Sequence, residues 1–131
     1  MNIPLLIANL LTVLAFFAHT FVGDGELKLL INKQAQPDRQ YRSTWTMARC
    51  GWHWLSTDLL IASTLMFCIN FLDLFPHEST ITLVLGIFFT AYGLVWLGTV
   101  LVSPPFKRRF FLLGQWGLLL VIGGLLFLAS Q

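Results

Sequence analysis

The chain has 131 residues, 56% of them hydrophobic and only 11% charged, with a formal net charge of +2 and a mean hydropathy of +0.76. Soluble domains carry about 25% charged residues, so the composition excludes an ordinary soluble globular protein. A net charge this small gives no electrostatic footprint for nucleic acid.

Four apolar runs, at about 3–22, 50–72, 79–103 and 110–129, each reach the roughly 20 residues that cross a bilayer core. The runs are continuous rather than alternating. Only helices and closed barrels satisfy their backbone in lipid, so these runs read as helices. The first opens Met1-Asn2-Ile3-Pro4 without a positive charge and is longer than a secretory signal core, so it reads as a retained span. Pro4 suits the first turn of that helix, where its missing N–H costs little. Gly23-Asp24-Gly25 is expected to interrupt the helix at its far end. Residues 26–33 mix apolar and charged side chains, as in a short helix lying on the membrane surface. Residues 34–42 are polar, contain Pro37 and read as a loop.

The second helix is expected to start ahead of the membrane, with Ser43 or Thr44 as N-cap. Trp45, Trp52 and Trp54 then mark the interfacial zone. Phe75-Pro76-His77 ends the second span, and Ser79 or Thr80 is a candidate cap for the third. Pro104-Pro105 stops the third helix, and Lys107-Arg108-Arg109 between Phe106 and Phe110 reads as an interfacial anchor.

All the lysines and arginines fall in two connections. Lys28, Lys33, Arg39, Arg42 and Arg49 follow the first run, and Lys107, Arg108 and Arg109 follow the third. The positive-inside rule places loops 23–49 and 104–109 in the cytoplasm. The expected fold class is therefore all-α. It is a single integral-membrane domain spanning 1–131, an antiparallel four-helix bundle with both termini on the non-cytoplasmic side. Cys50 and Cys68 are 18 positions apart on one helix, or about 27 Å, and cannot bridge each other. Small residues recur at helix spacing: Ala8, Thr12 and Ala15; Gly86 and Gly93; Gly117 and Gly124. They point to close helix packing, within the bundle or in self-association.

The chemistry-bearing residues gather at the cytoplasmic end. His19, Gly23 and Glu26 share a face of the first helix if it persists through the glycines. Arg49, His53 and Ser56 share a face of the second. Gln115 and Trp116 lie in the second turn of the fourth. Topology brings His19, Glu26, Arg49, His53, Asp58 and Gln115 to similar depth, and Asp58, Gln115 and Trp116 are second choices for the site. Asp58 lies roughly 12 Å into the span if the helix enters at Cys50, and ionisable groups within a span are costly. His19, Glu26, Arg49 and His53 are the expected core of a polar site, with Glu26 and Arg49 as an ion pair.

A histidine closing the first helix (His19), then Gly23 and Glu26, then Arg49-x-x-Trp52-His53, then Gln115-Trp116, resembles a family of small, uncharacterised four-span bacterial membrane proteins. The resemblance extends over nearly the whole chain. It implies a four-helix bundle in the bacterial inner membrane and no particular reaction.

Four functions compete. A subunit or assembly factor of a larger membrane complex fits the small size and small-residue faces. A divalent metal or haem site fits His19 and His53 on adjacent helices, with Glu26 or Asp58 as a further metal ligand. Transport of a small solute or proton by an oligomer fits an intramembrane Asp58. Surface enzymology fits a histidine near a carboxylate, although no nucleophile motif or phosphate loop accompanies it.

Overall fold

A computed structural model describes residues 1–32, 38–72 and 74–131, without the side chains of 30–32. The elements are α1 (Ile3–Phe17), a π-helical turn (Ala18–Gly23), α2 (Asp24–Asn32), α3 (Arg39–Phe71), α4 (Glu78–Val102), α5 (Arg109–Leu112) and α6 (Gln115–Ala129). No strand occurs among the described residues. Among the described residues, three stretches are long and apolar enough to cross a membrane: Ile3–Leu29, Arg39–Phe71 and Glu78–Val102. Most of their apolar surface is exposed, including Leu10, Leu14, Phe21, Val84 and Val95. Lipid makes such a surface stable.

Element boundaries differ from the sequence expectation in four places. Gly23-Asp24-Gly25 does not break the first helix, which runs through the π turn directly into α2. The second helix begins at Arg39, not at Ser43. Asp38 caps it, its Oδ1 accepting the Tyr41 N–H at 2.7 Å, and this leaves Ser43 and Thr44 inside the helix. The rest of the expected 34–42 loop lies outside the described residues. The third helix starts at Glu78 behind His77, which takes a left-handed backbone (φ 68°) and makes no side-chain cap, so neither Ser79 nor Thr80 caps it. The fourth run is split. After α5, Leu113 leaves helical geometry and Gly114 becomes the N-cap of α6. The 15 residues of α6 extend about 22 Å, short of a bilayer core of about 30 Å.

By its contacts the chain divides into two units, Met1–Leu11 with Leu65–Gln131, and Thr12–Thr64. In the first unit α4 packs along α6. Gly86 faces Phe127 and the Gly123 carbonyl, while Gly93 faces Leu120 and the Trp116 carbonyl. As the position on α4 rises, its partner on α6 falls, so the two helices are antiparallel. Phe89, Met66, Ile122 and Leu126 fill the interior. The close approach uses Gly86, Gly93 and Gly123, whereas Gly117 and Gly124 face open space. Ala8 is fully buried in this unit.

In the second unit Thr12, Ser56, Leu59, Ala62 and Ser63 are buried. Here the first helix lies along α3, with Trp52 and Trp45 donating to carbonyls of its polar end.

Candidate functional site

The polar end of the second unit is organised by the π turn. Such turns bond i to i+5 and widen the helix locally. The side-chain face therefore arrives later than in an uninterrupted α-helix. His19 and Gly23 meet Trp52, Asp24 meets Arg49, and the Leu27 carbonyl meets Trp45. Glu26 is turned to the exposed side. The widened turn is the reason Asp24, rather than the expected Glu26, pairs with Arg49.

Asp24 is 6% exposed and is surrounded by cationic donors. Arg49 grips it with two parallel bonds, Nε to Oδ1 at 2.5 Å and Nη2 to Oδ2 at 3.0 Å, the bidentate geometry that a guanidinium fork favours. Lys28 Nζ lies 2.8 Å from Oδ2, one turn along α2. His53 Nε2 lies 3.3 Å from Oδ1 and becomes a third partner when protonated. The Arg49 guanidinium also sits over the Trp45 ring, 5.4 Å from its centroid. This is an aromatic and electrostatic brace between α2 and α3.

One turn away, the His19 imidazole lies flat on Trp52, with centroids 3.9 Å apart and planes 5° from parallel. Trp52 Nε1 donates to the His19 carbonyl at 2.7 Å. His19 Nδ1 is 3.0 Å from Ser56 Oγ. Its Nε2 is buried with no hydrogen-bond partner among the described residues. Gly23 completes the wall, because a methyl group there would run into the Trp52 indole.

Of the expected site residues, His19, Arg49 and His53 therefore come together in this unit, and Ser56 joins them. Asp58 lies farther along α3 and is part-buried. Gln115 and Trp116 open α6 in the other unit, in its first turn rather than its second. Trp116 Nε1 donates to the Phe110 carbonyl at 3.3 Å, and Gln115 Oε1 is buried with no partner among the described residues. No group of three or more His, Cys, Asp or Glu side chains gathers as a metal set among the described residues, so the arrangement does not assemble His19, His53 and Glu26 around one point.

Sequence reasoning missed Asp24 as the hub and Lys28 as its neighbour. An acidic residue between two glycines at a helix end was the available signal. Comparison with family models, curated proteins and solved structures gives no match.

Proposed function

We propose that this protein is a non-catalytic subunit or assembly factor of a larger complex in the bacterial inner membrane. In this reading it crosses the membrane four times, with both termini on the non-cytoplasmic side. The distribution of basic residues supports that orientation. The fourth crossing combines α6 with the α5 segment, since α6 alone is short.

One observation carries the reading. Gly117, Val121, Gly124 and Leu128 follow one face of α6, and nothing stands within 4 Å of either glycine's missing Cβ. An interior glycine costs a helix about 1 kcal/mol relative to alanine. At Gly123 that cost is offset by close packing on α4. At Gly124, in the interior of α6, the fold offers nothing in return, and Gly117 continues the same open face into the first turn. A second helix, pressed closely against this face, supplies the missing contact. The Asp24 brace fits the same role, because its carboxylate is occupied by its own neighbours and keeps the polar end of the subunit in register.

Purification from membranes in mild detergent, with and without Gly124→Leu, tests this. The expected result is a co-purifying membrane protein in fixed ratio, lost in the variant while the variant's own helicity and melting temperature are kept. A chain that purifies alone, and that crosslinks to nothing in intact membranes, overturns the proposal. A reporter fused to either terminus and found cytoplasmic overturns the orientation.

A metal or haem reading is favoured by one separate feature, the unpartnered Nε2 of His19. Its other ring nitrogen is already fixed by Ser56, the outer-shell arrangement that prepares a histidine for ligation. Elemental mass spectrometry of the wild type beside a His19→Ala, His53→Ala double variant decides it. Near-stoichiometric metal lost in the variant supports this reading.

A further inference from the structure

In the Met1–Leu11 and Leu65–Gln131 unit, the start of α1, the end of α3, the start of α4 and the end of α6 surround a partly open cavity of about 260 Å³. Asn2, Asn70, Glu78 and Ser79 contribute its polar wall, and Leu5 and Ile69 contribute apolar surface. Much of this wall is held rigidly. The Asn2 backbone N–H donates to Asn70 Oδ1 at 2.7 Å, and Asn2 Nδ2 donates to the Ala129 carbonyl at 2.8 Å. Ser79 Oγ donates to the Ser130 carbonyl at 2.9 Å.

Two buried atoms on this wall have no partner among the described residues, Asn70 Nδ2 and Glu78 Oε1. Their chemistry is fixed. Asn70 Oδ1 accepts from the Asn2 N–H, so the amide is not free to flip and Nδ2 is a donor. Glu78 Oε1 is an acceptor that favours a charged donor. Buried polar groups in native structures are paired, and each exception calls for an explanation. The explanation here is a ligand that brings both missing partners, an N–H donor with positive charge and a nearby oxygen acceptor.

We propose that this cavity binds a 2-aminoethanol unit, its ammonium on Glu78 and its oxygen on Asn70 Nδ2. The unit has two sources, the headgroup of an ethanolamine phospholipid or a free small amine. The cavity lies where transmembrane helices start and end, which is headgroup depth in either leaflet. A trimethylammonium group is the discriminating contrast. It has the same charge, but it donates no hydrogen bond and is bulkier.

The test uses the full chain in nanodiscs. Native mass spectrometry compares retention of phosphatidylethanolamine with that of phosphatidylcholine. A parallel arm measures binding of radiolabelled ethanolamine, with choline as competitor, in phosphatidylcholine discs. The expected result is at least tenfold preference for the primary amine in one arm, and that arm names the source. Glu78→Gln should abolish the preference while the melting temperature is kept. No preference in either arm identifies a hydrated cavity and overturns the proposal. A preference that survives in folded Glu78→Gln overturns it as well. If Glu78→Gln does not fold, the wild-type contrast between primary amine and choline still decides.

Discussion

His19 and Trp52 stack face to face while the Trp52 indole N–H closes onto the His19 backbone carbonyl. One aromatic side chain on α3 thus holds both the ring and the main chain of the same residue, at the place where the helix ladder changes from α to π. The contact fixes where the wide turn sits and so controls which residues follow it.

Trp52→Phe keeps an aromatic face for His19 but removes the indole N–H and the part of the ring system that packs on Gly23. The expected loss is about 1–3 kcal/mol, one hydrogen bond plus the space left by the smaller ring. Thermal unfolding in detergent measures it. A fully stable Trp52→Phe protein would show that the carbonyl is satisfied without the indole.

Gly23→Ala places a methyl group against the Trp52 indole. Overpacking of this kind costs about 1–3 kcal/mol. Gly25→Ala, two residues on, meets nothing within 4 Å and should be neutral or stabilising by up to about 1 kcal/mol, from helix propensity. Opposite shifts in melting temperature from two alanines so close in sequence are the signature to look for.

Asp24→Asn leaves Arg49, Lys28 and a protonated His53 without their common carboxylate. It should lower the melting temperature more than Glu26→Gln, since Glu26 is exposed. Arg49→Lys should not rescue function or stability fully, because a lysine cannot make the two-pronged contact. Limited proteolysis near the α2 end ranks the variants. Equal effects of Asp24→Asn and Glu26→Gln would remove Asp24 from the centre of the brace.

Gly123→Ala pushes a Cβ toward the Gly86 carbonyl and the Thr90 hydroxyl. Backbone does not yield as a flexible side chain does, so a loss of about 1–3 kcal/mol is expected. Gly124→Ala, its neighbour, should leave the isolated chain unchanged or slightly more stable. The pair separates packing inside the chain from packing against a partner.

The helical character of this chain was legible in its uninterrupted apolar runs, and so was the convergence of His19, Arg49 and His53. The small-residue faces were half legible. Gly86 and Gly93 do carry the α4–α6 contact, but Gly117 and Gly124 lie off it, on a face of α6 that stands open in this chain. Spacing marks a face and does not say what stands opposite it. Gly123, with no glycine seven residues away on its helix, is recognisable only from its neighbour. Helix ends were harder. His77 begins α4 through a left-handed backbone rather than a capping side chain, and Asp38 outcompetes Ser43 because it stands first and its carboxylate accepts the Tyr41 N–H. Asp24 was hidden for a different reason. Counting in threes and fours from His19 leads to Glu26, and no residue in the segment announces a turn of five.

The wide turn makes the orientation of α2 a matter of counting. Deleting one of residues 20–22 would let the ladder close as ordinary α-helix, with Asp24 now four rather than five positions after His19 and therefore still on the same face. Asp24 would keep Arg49 and the Leu27 carbonyl would keep Trp45. One further residue inserted into a turn that widens no more would instead rotate everything beyond it by about 100° about the axis. The segment behaves as slack that takes up one residue, so the setting of α2 should survive a deletion there far better than an insertion.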